Sequence, residues 1–202
     1  MNTQPLYIKN ANIVLPESVL ECASLLIEAG KIAAINPEHV PEHSKIIDAQ
    51  GKIVMPGMID LHCDALEKEV EPRPNVHFPL DFACAQADKR NANAGITTVF
   101  HALSFANEEL GVRNNLFAKK ITEAVHQFQP HALVDNRVHC RYEITDPTAL
   151  PILLQMIDDK SMHLISLMDH TPGQGQFKDL AAYKAYFGKS YKKSEQQLDT
   201  II

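Results

Sequence analysis

The sequence has no two cysteines in a CxxC pattern. Its four cysteines, Cys22, Cys63, Cys84 and Cys140, lie far apart, which argues against a zinc knuckle and against a disulfide framework. No segment approaches the roughly 18 apolar residues of a membrane span, and the N-terminus lacks the basic head and apolar stretch of a signal peptide. We therefore expect reduced thiols, a cytoplasmic location and no membrane partner.

The sequence also lacks a long basic run, an internal repeat and a low-complexity segment. Its formal net charge is −6 and its pI about 5.9, so nucleic acid and anionic membrane surfaces are poor partners. The chain does have 202 residues, of which 45% are hydrophobic and 22% charged. That is enough to bury a core as one large or two small domains, with a small molecule as the expected partner.

The chain divides into two regions of different pattern. Residues 1–55 contain short β-favouring runs separated by turn signals, which predict a small antiparallel unit. In residues 56–202, apolar β-branched runs of strand length alternate with segments of helical spacing, including one from about Asn107 to Phe128. Alternation of this kind predicts an α/β domain with a parallel sheet and helices outside it.

Polar residues alternate with apolar ones in the first strand of the second region. In GMIDLHCD, a regular strand places Asp60, His62 and Asp64 on one face. The same pattern recurs in RVHCRYEI, where a carboxylate again lies near the strand end, and HLISLMDH also closes with a histidine. The carboxyl ends of parallel strands open into the loops where α/β proteins form their sites.

Imidazole and carboxylate groups from separate strands are the usual ligands of a catalytic divalent metal that keeps a water position open. We therefore predict a metal site at these strand ends. Its predicted ligands are His62, Asp64, Glu143 and His170.

Each of these residues also has an ordinary structural interpretation. Glu143 could pair with Arg141 or Arg137, and His170 could be a buried histidine bonded to the turn that follows it. Arg73 and Arg141 could be ion-paired or solvated, although a guanidinium fork also matches phosphate oxygens. The remaining strand histidines, His101, His139 and His163, are interpreted as packing or hydrogen-bonding residues.

Five segments together resemble the amidohydrolase superfamily: GKIVMPGMIDLH, HCDALEKEVEPRP, AGITTVFHALSF, HCRYEITD and SLMDHTPGQGQF. Within it they resemble the diphosphohydrolase branch of phosphonate metabolism. The resemblance implies a small β-sandwich, here partial over 1–55, that leads into a metal-dependent (β/α)8 TIM barrel. The chain resembles the N-terminal half of such an enzyme, so residues 56–202 should supply the first four or five barrel strands.

The resemblance also implies an activity. A complete enzyme would use one or two divalent ions, such as zinc or manganese, to hydrolyse ribose 1-methylphosphonate 5-triphosphate to the 5-phosphate and pyrophosphate. Asp64 and Glu143 would be catalytic, and Arg73 and Arg141 would bind the phosphorylated substrate. The half by itself is expected to be inactive and to self-associate through its open barrel edge. Two alternatives remain: a cyclic-amide hydrolase of the same superfamily, and a non-catalytic fragment or binding module.

Overall fold

The computed structural model describes residues 4–73, 76–107, 113–171, 173, 178–191, 194 and 196, with the backbone alone for 186, 187 and 189–191. These residues form two compact units, Met1–Gly57 and Met58–Ile202. Within this described part, no helix combines the length and the apolar character that crossing a membrane requires.

The first unit is a five-stranded sheet with a small apolar core. Its strands are β1 (Leu6–Val14), β2 (Val19–Glu28), β3 (Lys31–Ile35), β4 (Lys45–Asp48) and β5 (Ile53–Val54). β1, β2 and β3 are antiparallel neighbours, and a tight turn at Ala29 and Gly30, both with positive φ, joins β2 to β3. Tight hairpin turns require residues with positive φ, and glycine adopts this conformation readily.

The prediction of an antiparallel unit is wrong for the last two strands. Both β4 and β5 run parallel to β1. In the strand order β3-β2-β1-β4, residues 36–44 carry the chain from β3 at one edge back to the far side of β1. Such a crossover produces parallel pairing, whereas a short hairpin turn produces antiparallel pairing.

The second unit is a parallel sheet in the order β6-β7-β8-β9. Its strands are β6 (Met58–Cys63), β7 (Ile96–Phe105), β8 (Asp135–Glu143) and β9 (Leu164–Met168). Its helices are α1 (Ala65–Val70), α2 (Leu80–Asn93), α3 (Asn115–Phe128), α4 (Leu150–Asp158) and α5 (Leu180–Tyr191), with 3-10 turns at Gln129–His131 and Pro147–Ala149. The predicted α/β class is confirmed.

The core of this unit lies between the helices and one face of the sheet. Leu103 and Phe105 of β7 are both 0% exposed and pack in one cluster with Ile121 of α3 and Leu153 of α4. Helix α3 begins at Asn115, because the Asn114 side chain accepts the Phe117 N–H at 2.8 Å as a cap. The predicted start near Asn107 precedes residues 108–112, which lie outside the described residues.

A β-bulge interrupts the alternation predicted for β6. Asp60 is in register with Val99 and Cys63 with His101, so three residue steps on β6 match two on β7. The His62 N–H donates to Asp60 Oδ1 at 3.0 Å within this bulge. The extra residue places Asp60 on the same side as Cys63 and opposite to His62. The prediction that Asp60 shares a face with His62 is therefore wrong.

Candidate active site

Three of the predicted site residues meet at the carboxyl ends of β6 and β8. Asp64 occupies the N-cap position of α1, yet its side chain makes no capping hydrogen bond. Instead, Asp64 Oδ1 lies 3.0 Å from an Arg141 guanidinium nitrogen, and Asp64 Oδ2 lies 3.5 Å from His62 Nε2. Arg141 is the most enclosed of the three, with 17% of its side chain exposed. We call these residues the His62–Asp64–Arg141 array.

His139 lies beside this array on the inner face of β8. Its ring meets the His62 ring edge-on, with the ring centroids 5.1 Å apart. His139 Nε2 and Ser166 Oγ of β9 are hydrogen-bonded at 2.9 Å. Burial, followed by the neighbouring His62, lowers the pKa of His139, so a neutral ring packs next to His62.

The other two predicted ligands, Glu143 and His170, form a second contact at the ends of β8 and β9. Glu143 is 7% exposed, and its Oε2 lies 2.7 Å from His170 Nδ1. Glu143 Oε1 accepts the Thr145 hydroxyl at 2.9 Å and the His170 backbone N–H at 3.4 Å. The two arginines considered as partners of Glu143 pair elsewhere: Arg141 with Asp64, and Arg137 with Asp135 at 2.8 Å.

These contacts bear on whether the residues suit a divalent metal. Two ligands at roughly 2.0 to 2.2 Å from a tetrahedral ion lie about 3.3 to 3.6 Å apart, and the 3.5 Å between His62 Nε2 and Asp64 Oδ2 falls in that range. Among the described residues, however, no group of three or more His, Cys, Asp or Glu is arranged to hold a metal. The donor types therefore suit a divalent metal, and so does the spacing of the His62–Asp64 pair. The four predicted ligands nevertheless occur as two separate pairs.

Arg73, a predicted phosphate ligand, lies in the segment that follows α1. It is exposed, and its carbonyl accepts the Val76 N–H at 3.0 Å. Over the described part of the chain, its side chain makes no ion pair. The prediction that Arg73 binds substrate is not tested by these contacts.

Two further carboxylates at the same edge of the sheet were not identified from the sequence. Asp146 accepts the Asn107 N–H at 2.8 Å and the Asn115 side-chain amide at 2.9 Å, and so joins the segments that follow β7 and β8. Burial raises the pKa of Asp146, but hydrogen bonds from Thr148, Asn115 and Asn107 have the larger, opposite effect. The pKa of Asp146 is therefore below its usual value. Asp-Pro-Thr is a helix-capping sequence, so this residue had a recognisable signal.

Glu67 of α1 is the second of these carboxylates. It is 7% exposed, accepts the Ser104 N–H of β7 at 3.0 Å and pairs with Arg113 at 2.9 Å. It thereby ties α1 to the end of β7. Glu67 precedes no cap and belongs to no ligand pattern, so nothing in the sequence marks it as buried.

The cysteines near the sheet are protonated thiols rather than nucleophiles. Burial raises the pKa of Cys63, which follows His62, and raises that of Cys140 in β8 to about 12. Because the thiolate is the reactive form, neither residue is a candidate for covalent catalysis.

Three histidines of this unit make its stability depend on pH. Burial is the main cause that lowers the pKa of His101, His139 and His163. The unfolded chain therefore binds more protons than the folded chain below about pH 6.5, the ordinary histidine pKa. Their stabilising contribution is complete above that pH and is lost as the pH falls.

We accordingly expect the free energy of unfolding to decrease between about pH 7 and pH 5 in urea titrations followed by circular dichroism. His101 is 2% exposed. Since H101Q removes one titrating group, it should reduce the slope of the unfolding free energy against pH by up to about 1.4 kcal/mol per pH unit. A wild-type profile that is flat over this range would contradict the prediction.

The sequence was compared with known proteins. No protein-family profile matches the chain. The chain is 31% identical over 195 residues to the alpha-D-ribose 1-methylphosphonate 5-triphosphate diphosphatase of Escherichia coli (strain K12). This match covers 95% of this chain and 50% of that protein. The chain is also 28% identical over 187 residues to the dihydroorotase of Elusimicrobium minutum (strain Pei191). That match covers 92% of this chain and 39% of the dihydroorotase.

The fold was compared with solved structures. The structure of a D-hydantoinase superposes with a TM-score of 0.55 and 26% sequence identity over 87% of this chain and 35% of that chain. The chain therefore spans half or less of the length of these three proteins. The predicted partial barrel is confirmed by this likeness.

Proposed function

The chain belongs to the amidohydrolase superfamily, and from this premise we propose that the carboxyl ends of β6, β8 and β9 form part of the active site of a metal-dependent hydrolase. The proposal is carried by the His62–Asp64–Arg141 array, in which an imidazole and a carboxylate from the end of β6 meet a guanidinium from β8. The homologues support a hydrolase of this superfamily. Metal dependence, substrate and catalytic residues are the proposed part.

We propose that His62, Asp64 and the Glu143–His170 pair provide ligands for one or two divalent ions, zinc or manganese. Such an ion, when bound, acidifies a water molecule and polarises a phosphoryl oxygen. Asp64 either binds the ion or accepts the proton of the attacking water. Glu143, which is buried and ends β8, is the second proposed catalytic carboxylate.

The proposed substrate is ribose 1-methylphosphonate 5-triphosphate, which water cleaves between the α and β phosphates to release pyrophosphate. The similarity to the Escherichia coli diphosphatase over 95% of this chain supports it. Arg141 lies at the same strand ends as the proposed ligands, where a guanidinium can bind phosphate oxygens in a two-pronged contact. Arg73 is the second proposed phosphate ligand.

A cyclic-amide hydrolase is the alternative, and the likeness to a dihydroorotase and to a D-hydantoinase favours it. An amide ring needs fewer cationic partners than a triphosphate, so the role of Arg141 discriminates between the two. For either reaction we propose a cytoplasmic location, because all four cysteines are free thiols and reduced thiols are typical of that compartment.

We propose in addition that this half-barrel self-associates through its sheet edges. β6 and β9 are the outer strands of the described parallel sheet. Both carry exposed apolar side chains: Ile59 and Leu61 on β6 are 63% and 58% exposed, and Leu167 on β9 is 70% exposed. Open edges and apolar patches favour pairing with another chain.

The substrate is tested by phosphorus NMR with zinc or manganese and the ribosyl triphosphate. We expect the longest reading frame that contains this chain to release pyrophosphate, and the 202-residue chain alone to release none, since its described donors occur only in pairs. Release of orthophosphate alone, or turnover of a dihydropyrimidine instead, would favour the amide-ring alternative.

Light scattering on the same 202-residue sample tests self-association, with a molar mass of a dimer or larger expected. A monomer that turns over the triphosphate would contradict both expectations. If the longest reading frame that contains this chain turns over neither the triphosphate nor a dihydropyrimidine at any metal concentration, the non-catalytic alternative is favoured.

A further inference from the structure

The first turn of α1 lacks the cap that its sequence offers. Asp64 is the N-cap residue of α1, but its side chain accepts no backbone N–H of the helix, although N-cap aspartates usually do. The Asp64 carboxylate contacts Arg141 and His62 instead, at 3.0 and 3.5 Å. Another contact therefore has to fix the start of this six-residue helix.

Glu67, the third residue of α1, makes that contact. Its side chain is buried, and its Oε1 accepts the Ser104 N–H of β7 at 3.0 Å. Its Oε2 lies 2.9 Å from Arg113 Nε, in the segment that precedes α3. Hydrogen bonds to an ionised carboxylate are short and directional. They therefore fix the rotation of α1, which apolar packing alone would leave less well defined.

The position of Ser104 connects this contact with the candidate active site. β7 continues past the last residue of β6, and Ser104 lies in this extension, where it is 0% exposed. On the side of β8, Ser104 is in register with Arg141. Glu67 therefore joins the helix that begins after Asp64 to the residue of β7 that is paired with Arg141. Both partners of the Asp64–Arg141 contact are held relative to the same point of the sheet.

We infer that Glu67 is a positioning residue, which docks α1 on the end of β7 and so holds the uncapped Asp64 carboxylate against Arg141. The inference rests on the proposed function, because it gives Glu67 an effect on the reaction only through Asp64. Misplacing a catalytic group by about 1 Å can lower a rate about 100-fold. The loss of Glu67 should therefore be visible in turnover even though Glu67 does not touch the reacting atoms.

Nitrogen-15 NMR of the Arg141 guanidinium in the 202-residue chain tests the inference without activity. The bond to Asp64 restrains rotation of the guanidinium, so we expect separate signals for its two Nη atoms in the wild-type chain. D64N and E67A should both give one averaged signal. E69Q is the matched control and should keep the signals separate, because Glu69 is also an ion-paired carboxylate of α1 but pairs with Arg90 of α2.

Three outcomes of this measurement would overturn the inference. Averaged Arg141 signals in the wild-type chain would mean that the contact with Asp64 is not held. Separate signals in E67A would mean that Glu67 does not hold it. Averaging in E69Q as well as in E67A would mean that any lost ion pair of α1 releases Arg141.

Kinetics of the longest reading frame that contains this chain test whether Glu67 acts through Asp64. The substrate is the triphosphate or the dihydropyrimidine, whichever the enzyme hydrolyses. E67A should lower kcat about 10- to 100-fold, whereas D64N/E67A should stay within about threefold of D64N alone. E67Q keeps an oxygen for the Ser104 N–H and loses only the charge that pairs with Arg113, so it should lose less activity than E67A. If E67A does not fold, as checked by circular dichroism, E67Q and D64N/E67Q provide the same comparison.

An equal loss from E67A in the wild-type and D64N backgrounds would mean that Glu67 only stabilises the fold, which overturns the inference and leaves the role of Asp64 intact. Full activity of D64N would overturn the proposed role of Asp64, while the Arg141 signals would still show whether Glu67 holds the contact. If D64N is too slow to measure, the NMR comparison decides. Failure of the inference and failure of the proposed function are thus distinguishable.

Discussion

D64N is expected to lower kcat/KM for the triphosphate by about 10²- to 10⁴-fold, or about 3 to 5 kcal/mol of transition-state stabilisation. The expectation applies to the longest reading frame that contains this chain. Asp64 contacts both Arg141, at 3.0 Å, and His62, at 3.5 Å. Asparagine keeps the volume but removes the charge that would bind a metal or accept a proton, and it leaves the Arg141 guanidinium without its carboxylate.

D135N is the matched control for this measurement. Asp135 begins β8 at the opposite end of the strand from Arg141 and Glu143, and pairs with Arg137 on an exposed surface. Exposed ion pairs of this kind contribute little to the stability of a fold. D135N should therefore stay within about threefold of wild type in pyrophosphate release measured by phosphorus NMR. Equal activities of D64N and D135N would remove Asp64 from the proposed active site.

The strands that carry the candidate site were predictable because β-branched and apolar residues favour buried strands. β7 and β8 are β-branched and apolar on the side that packs against helices, with Leu103 and Val138 both 0% exposed. A parallel sheet then brings the carboxyl ends together. On this basis His62, Asp64, Glu143 and His170 were predicted to converge on one site, and in the structure they occur as two pairs at the strand ends.

The pairing within the site could not be predicted, because it depends on side-chain reach and on a bulge. The sequence left Arg141 and Arg137 as possible ion-pair partners of Glu143, whereas Glu143 contacts His170. One extra residue in β6 moved Asp60 to the other side of the strand, and no sequence signal marks that position. A period of two holds only while the register is regular.

Helix α2 was also missed, and its burial pattern explains why. It buries Ala83, Cys84, Ala87, Asp88 and Asn91, a face of small and polar residues instead of the large apolar stripe that marks an amphipathic helix. The reason for a polar face lies across the fold. The Asn136 side chain, at the start of β8, donates to Asp88 Oδ1 at 2.8 Å and contacts His101 Nε2 at 2.9 Å through its own Oδ1.

D88A is therefore expected to lower the free energy of unfolding of the unit Met58–Ile202 by about 3 to 5 kcal/mol. Asp88 is 1% exposed and accepts the backbone N–H groups of Leu133, at 2.9 Å, and Val134, at 3.2 Å. Alanine would leave the two N–H groups without this acceptor and would remove one of the two hydrogen bonds that the Asn136 side-chain amide donates. Each unsatisfied donor costs roughly 1 to 3 kcal/mol. D88N should cost less, because it keeps one acceptor oxygen.

K89A is the control for D88A, since Lys89 is the exposed neighbour on the same helix and should change stability by less than about 0.5 kcal/mol. Urea titration of the three variants at one fixed pH, 7.5, measures the differences. If D88A unfolds within 1 kcal/mol of K89A, α2 is not anchored by this carboxylate. The segment that leads into β8 would then be held by packing alone, and the strand that carries Arg141 and Glu143 would not depend on the polar face of α2.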